Sequence, residues 1–167
     1  MKRLVLFLMI LSAVIYAQEK NKLVTDEKSG KLMLIGICDR TAFADSNFSW
    51  WFNSEYDIYT PDSSEVLKLS NLIDVVKITI VMGTWCSDSR REVPRFYKIL
   101  DKAGYNTQNL TLVCVDRNKT SPNGLVDKLD IKLVPTIICR RDDQEIGRIV
   151  ETPKETLEKD LVKMVVK

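Results

Sequence analysis

Histidine is absent from the 167 residues of this chain. Its absence excludes a Ser-His-Asp triad, a Cys-His dyad and any zinc or haem site that needs an imidazole ligand. The chain has only four cysteines, Cys38, Cys86, Cys114 and Cys139, and no two of them are three residues apart. The spacing of a zinc knuckle or an iron–sulfur loop is therefore also missing, and we expect neither a metal nor another cofactor.

Internal repeats and low-complexity tracts are missing as well. What remains is an ordinary globular composition, in which 45% of the residues are hydrophobic and 29% are charged. This balance, at this length, predicts a single globular domain that can bury a core of its own.

The first 17 residues have the layout of a secretory signal. Lys2 and Arg3 are followed by an apolar run over 4–15, by the small residue Ala17 and by a polar run over 18–22. The apolar run is shorter than the roughly 20 residues of a membrane span. We expect an exported, periplasmic protein that is cleaved after Ala17. The alternative is an uncleaved anchor, and this segment would then be the contact with the membrane.

Cleavage changes the charge of the chain. The signal holds two of the 25 basic residues and none of the 23 acidic ones, so 23 of each remain. A mature chain without net charge lacks the basic surface of most nucleic-acid-binding proteins, and we expect no nucleic-acid partner. Disulfides also persist outside the cytoplasm, so each thiol of an exported chain must be considered as one that could form a disulfide.

Polar residues 18–31 predict a loose lead-in to a domain that covers 32–167. Apolar runs predict five strands within that domain, at 32–38, 75–82, 110–115, 136–139 and 145–150. Helices are expected within 48–59, after Pro61, over 90–103, as a short piece at 124–129, and over 152–164, where Thr152 would cap the last helix. This order favours an α/β sheet with helices on both faces.

An aromatic-rich segment precedes the central strand. Phe48, Trp51, Phe52, Tyr56 and Tyr59 follow helical spacing. A ligand-stacking surface is one interpretation, but the spacing favours a helix whose aromatic face packs into the core.

The candidate site begins at Cys86, which directly follows a buried strand and directly precedes a helix. Free backbone N–H groups and the helix dipole favour a thiolate at that place. Arg90 and Arg91 add positive charge one turn later, partly offset by Asp88, and Ser89 can donate its hydroxyl to the sulfur. These features predict a nucleophilic cysteine. Plain helix-capping and solvated roles for the same side chains remain the alternative.

Val134-Pro135-Thr136 places a proline just before a β-branched strand, which makes its peptide bond a candidate cis bond. This segment, the Thr84-Trp85-Cys86-x-x-Ser89 sequence and Pro94 in the following helix together resemble the thioredoxin family, most closely its exported bacterial members. The resemblance covers roughly 75–165, and residues 32–74 are interpreted as an N-terminal addition.

The resemblance implies a thioredoxin fold, with a central mixed sheet flanked by helices on both faces. It also implies that Cys86 is the attacking sulfur and that Pro135 lies beside it as a cis-proline. Val134 would offer backbone groups to a bound peptide, Trp85 would flank the site, and Pro94 would kink the helix.

Two departures from the family pattern affect the chemistry. Ser89 stands where dithiol members have a second cysteine, and Ile80 stands where they have a buried acid. Without both, Cys86 can form a mixed disulfide but cannot release it locally. We expect Cys114 and Cys139 to be buried structural thiols. Cys38 is the other thiol expected to meet solvent, and a Cys38–Cys86 partnership remains open.

Two classes of function follow. The first is a monothiol exchange protein, an oxidoreductase or isomerase, whose partners are protein or small-molecule thiols and disulfides. The second is a non-catalytic, chaperone-like module that binds a peptide or partner, in which Cys86 is a remnant and Trp85 and Pro135 serve packing. A cysteine peroxidase is less favoured, since the Pro and Thr that precede its cysteine in that branch are not reproduced by Thr84-Trp85.

Overall fold

A computed structural model of the protein describes residues 19–166, so the predicted signal over 1–17 lies outside the described residues. The strands are β1 (Lys22–Thr25), β2 (Leu32–Cys38), β3 (Lys77–Met82), β4 (Leu110–Cys114), β5 (Thr136–Arg141) and β6 (Gln144–Val150). The α-helices are α1 (Ser46–Ile58), α2 (Ser63–Ser70), α3 (Ser87–Ala103) and α4 (Leu157–Val165), and 3₁₀ turns cover Arg40–Ala44, Thr107–Asn109 and Pro122–Gly124. Within 19–166, no helix is both long and apolar enough to cross a membrane.

The strands form one mixed sheet in the order β1-β2-β4-β3-β5-β6. The central strands β3 and β4 are parallel, which requires the crossover that α3 provides. The remaining neighbours, including the β5–β6 hairpin, pair antiparallel. A strand–helix–strand unit followed by a hairpin and a closing helix is a thioredoxin-like fold, and the predicted fold class is confirmed.

The sequence predicts helices on both faces of the sheet, but the four α-helices of residues 19–166 all pack on one face. Ile78, Ile80 and Met82 of β3 point to the face on which all four α-helices pack. Val81 of β3 points to the other face, where it meets residues of the 125–134 segment. The short helical piece predicted at 124–129 is a 3₁₀ turn followed by non-helical turns. The second face is therefore covered thinly, and Trp85 and Cys86 pack against it.

The expectation of a loose lead-in is wrong for residues 22–25. These residues form β1, which pairs antiparallel with β2 in a register that joins Lys22 to Ile35 and Thr25 to Leu32. The backbone N–H of Asn21 also donates to the carbonyl of Ile37 at 3.0 Å. Three of the four residues of β1 are exposed, so this edge strand carries no apolar run by which it could be recognised.

Two helix starts differ from the expected ones. The last helix begins at Leu157, because Thr156 rather than Thr152 accepts a hydrogen bond from the backbone of the first turn, at Lys159. The helix expected from Arg90 begins at Ser87, with Cys86 as its N-cap residue. The candidate nucleophile is thus the last non-helical residue before α3.

The aromatic segment forms α1 and packs as core. Phe48, Trp51 and Phe52 are buried, and the ring of Phe52 stacks on Phe43 with centroids 4.6 Å apart. The prediction of core packing is confirmed for these rings. Trp50, on the opposite side of the helix, is 65% exposed.

Candidate active site

Cys86 lies at the carboxyl end of the parallel strand β3, the edge of an α/β sheet at which ligands usually bind. It has an extended backbone conformation (φ −89°, ψ 130°), and its side chain does not cap the helix. The sulfur is half-buried and stands at the positive end of the 17-residue helix α3.

The loop before β5 meets this sulfur from the other side. Cys86 Sγ donates a hydrogen bond to the carbonyl oxygen of Val134 at 3.1 Å, across 48 residues of sequence. The Val134–Pro135 peptide bond is cis. The two segments that carried the resemblance therefore touch. The contact suits the protonated thiol, because a thiolate has no hydrogen to donate to a carbonyl.

Arg90 is the cation beside the sulfur. Its Nε donates to the carbonyl oxygen of Thr84 at 2.6 Å, which holds the guanidinium over the loop that carries Cys86. Burial lowers the pKa of Arg90, attraction to Cys86 raises it, and the neighbouring cation Arg117 lowers it again. Arginine remains charged in proteins under such conditions. Its charge therefore stabilises an anion at Cys86.

Arg91 does not share this role, and the expectation that it adds charge at the sulfur is wrong. Its Nη2 donates to Asp88 at 2.8 Å and its Nε to Glu92 at 2.6 Å. Consecutive residues of a helix point about 100° apart, so Arg91 leaves the side of the helix that Arg90 occupies. Two carboxylates then compensate its charge.

Ser89 also differs from the expectation. Its hydroxyl is fully buried and accepts a hydrogen bond from the backbone N–H of Gly83 at 3.3 Å. No hydrogen bond within residues 19–166 joins Ser89 to the sulfur of Cys86, and the predicted donor role is wrong for this state. The Ser89 hydroxyl instead links the loop that begins at Gly83 to the first turn of α3.

Trp85 is fixed on the second face of the sheet. Its indole Nε1 donates to the carbonyl oxygen of Val115 at 2.9 Å. The guanidinium of Arg117 lies 5.1 Å from the ring centroid, within the range of a cation–π interaction. A Cβ at position 83 would lie 2.5 Å from the indole, so this close approach requires Gly83. Trp85 thus flanks Cys86 in a single orientation.

Sequence reasoning missed the part of the site that comes from the N-terminal hairpin. Asp26, in the turn after β1, receives two hydrogen bonds from Arg117, Nε to Oδ1 at 2.9 Å and Nη2 to Oδ2 at 2.7 Å. The backbone N–H of Leu34 donates to Thr84 Oγ1 at 3.2 Å. The N-terminal hairpin therefore holds both Arg117 and Thr84, and Asp26 lies in the segment that was expected to be loose. Asp26 and Arg117 are 91 residues apart in the sequence, so no local sequence pattern indicates that they form a pair.

The other cysteines are buried. Cys114 and Cys139 are fully buried, as predicted, but Cys38 is only 4% exposed, and the expectation that it meets solvent is wrong. All four thiols are free. Cys38 packs on the helix-covered face, whereas Cys86 packs on the other face. Because the sheet lies between them, the structure does not support a Cys38–Cys86 partnership.

No known protein family matches the sequence, and no curated protein does so either. Among solved structures, a Pseudomonas aeruginosa protein of unknown function, PA1234, is 15% identical with a TM-score of 0.46, over 66% of this chain and 65% of that chain. The chain therefore covers slightly less than two thirds of that protein.

Two thioredoxins are also similar. Thioredoxin O2 from Arabidopsis thaliana, in its oxidised state, is 18% identical with a TM-score of 0.40, over 62% of this chain and 85% of that chain. Mitochondrial thioredoxin 3 from Saccharomyces cerevisiae, in its oxidised form, is 19% identical with a TM-score of 0.38, over 67% of this chain and 97% of that chain. Identity and TM-score are both low for these structures. The thioredoxin-like fold therefore rests on the strand and helix order of the chain itself.

The Asp26–Arg117 pair predicts an acid-dependent stability. Hydrogen bonds from Arg117 hold the pKa of Asp26 well below its usual range. Stability from this pair is present above the ordinary aspartate pKa of about 4 and is lost as the pH falls below it, because the unfolded chain takes up the proton first. Asp26→Asn should therefore lower the urea midpoint at pH 7 and flatten its decline between pH 5 and pH 3.

Asp116→Asn is the matched control, since the half-buried side chain of Asp116 bonds only within its own turn, to Thr120. If the urea midpoint of Asp26→Asn fell as steeply between pH 5 and pH 3 as that of the wild type, the pair would contribute nothing to stability.

Proposed function

We propose that the protein is a thiol–disulfide exchange protein of thioredoxin-like fold that acts through Cys86 alone. The observation that carries the proposal is a half-buried sulfur at the N-terminus of α3, with the Arg90 cation on one side and the Val134 carbonyl on the other. Serine at position 89 and isoleucine at position 80 leave this sulfur without a local thiol or acid. One nucleophile without a resolving partner defines monothiol chemistry.

The reaction starts with the loss of the proton that Cys86 shares with Val134. The thiolate then attacks one sulfur of a partner disulfide, whose S–S bond breaks while a bond from Cys86 to the attacked sulfur forms. The other partner sulfur leaves as a thiolate, so the exchange neither gains nor loses electrons. The helix N-terminus and Arg90 stabilise the negative charge on Cys86 before the attack.

Release of the mixed disulfide requires a thiol from outside the chain. Cys38, Cys114 and Cys139 are all buried. Ile80 is fully buried among apolar side chains, so no acid stands there to accept a proton. A small-molecule or protein thiol would attack the mixed disulfide and regenerate Cys86.

We include export in the proposal, on the basis of the basic, apolar and small-residue order of residues 1–17. Sequencing the N-terminus of the protein isolated from its own cells should find Gln18 as the first residue. A chain that retains Met1 in the membrane fraction would instead indicate an uncleaved anchor.

Mixed-disulfide trapping tests the chemistry. The reduced protein, treated with oxidised glutathione, should gain one glutathione per chain at Cys86, and the adduct should persist until a thiol is added. Cys86→Ala should gain none. Ser89→Cys places a thiol at the family's resolving position and should shorten the lifetime of the adduct at least about tenfold, because release becomes intramolecular.

An unmodified Cys86 in the folded wild type, with partner binding retained in Cys86→Ala, would favour the second function, a non-catalytic binding module. The hydrogen bond from the Cys86 thiol occupies the carbonyl of Val134, a backbone group that a bound peptide would need, so it argues against this alternative.

The role of Arg90 predicts a charge effect on reactivity. Arg90→Gln should slow the alkylation of Cys86 by iodoacetamide at pH 7 about fivefold, which corresponds to a charge interaction of about 1 kcal/mol where water has access. Arg91→Gln removes the same charge one residue later. It should leave the rate nearly unchanged, because Asp88 and Glu92 already compensate Arg91. Equal rates for the two variants would contradict a specific role for Arg90.

A further inference from the structure

Two cysteines that the proposed function does not use lie together on the opposite face of the sheet. Strands β2 and β4 pair antiparallel, with Gly36 opposite Cys114 and Cys38 opposite Leu112. Cys38 and Cys114 are therefore diagonal neighbours, and both belong to the core cluster on the helix-covered face. Their side chains therefore point to the same side of the sheet, on neighbouring strands.

The two thiols interact directly and unequally. A hydrogen bond with Cys114 lowers the pKa of Cys38, although burial and the charge of Asp39 oppose this shift. The same hydrogen bond, together with complete burial, raises the pKa of Cys114. Cys38 is thus the sulfur of the pair whose ionisation is favoured. Cys139 has no such neighbour, and burial raises its pKa to about 12.

A cavity of about 330 Å³ reaches this pair from the surface, and Cys38 forms part of its wall together with Arg40, Tyr97 and Thr107. Cys114 does not line it. The space admits a molecule of a few atoms, whereas a protein disulfide cannot reach a sulfur that is 4% exposed. The shape of the access therefore selects a small oxidant and directs it to Cys38.

We propose that Cys38 and Cys114 form a second redox site, a buried dithiol that hydrogen peroxide converts into an internal disulfide. The Cys38 thiolate attacks one oxygen of the peroxide, the O–O bond breaks, and a sulfenic acid and one water form after protonation. The Cys114 sulfur then attacks the sulfenic sulfur and displaces a second water. Both thiols are oxidised to one disulfide, and one peroxide is reduced to two waters.

Formation of this disulfide requires a local adjustment of strands β2 and β4. Diagonal neighbours across antiparallel strands have Cα atoms about 7–8 Å apart, and a relaxed disulfide spans slightly less than that.

Peptide mapping tests the proposal without any contribution from the first site. The full chain with Cys86→Ala is reduced, treated with one equivalent of hydrogen peroxide, blocked with N-ethylmaleimide and digested with trypsin. The cysteines fall on separate tryptic peptides, 32–40, 78–90, 103–117 and 133–140. We expect peptide 32–40 linked to peptide 103–117, a loss of two thiols per chain, and recovery of both with dithiothreitol.

Cys139→Ala, added to the same chain, should leave the link intact, because that thiol stands alone. Cys114→Ala should stop at a sulfenic acid on Cys38 that dimedone traps, and Cys38→Ala should leave Cys114 reduced. If either variant fails to fold, the linked peptide in the chain with Cys86→Ala decides the question alone. Oxidation that leaves the two peptides unlinked, or that joins separate chains, would overturn the proposal. Neither outcome bears on the exchange chemistry of Cys86.

Discussion

The parallel pairing of β3 with β4 is the constraint from which the candidate site follows. Parallel neighbours cannot be joined by a tight turn, so the chain must leave the end of β3, cross one face of the sheet and return. The crossover is α3, and only four residues separate the end of β3 at Met82 from its first residue, Ser87. Whatever residue occupies that short connection stands at a helix N-terminus and at the open end of the sheet. In this chain the residue is Cys86.

A helix N-terminus alone does not make a site, and the surroundings of Cys86 come from three further parts of the chain. Val134 approaches from the loop before β5, Arg117 stacks on Trp85 from the loop after β4, and Asp26 holds Arg117 from the N-terminal hairpin. The hairpin therefore extends the edge of the sheet and also supports the indole that flanks the sulfur. This coupling explains why a polar N-terminal segment is ordered although it buries little apolar surface.

The parts of the structure that could be predicted are those with a local physical cause. A β-branched run predicts a buried strand, and the order of such strands and helices predicts the fold class. A cysteine between a buried strand and a helix must lie at the helix N-terminus, so the place of Cys86 could also be predicted. The roles of Ser89 and Arg91 did not follow, because they depend on which of several nearby partners each side chain takes, Gly83 for Ser89 and two carboxylates for Arg91. The Asp26–Arg117 pair joins two exposed loops of unremarkable composition and leaves no sequence pattern at all.

The sheet divides the sulfur chemistry of the molecule into two environments. On the thinly covered face Cys86 is accessible, stands beside a cation and lacks a second thiol, which suits exchange with large partners. On the helix-covered face Cys38 is enclosed, lies next to Cys114 and is reached through a narrow cavity, which suits a small oxidant. The two sites differ in which component is missing: Cys86 lacks a resolving thiol, whereas Cys38 lacks access for a protein. The sheet between them keeps the two sulfur environments apart, so the exchange proposed for Cys86 and the oxidation proposed for Cys38 and Cys114 would proceed independently.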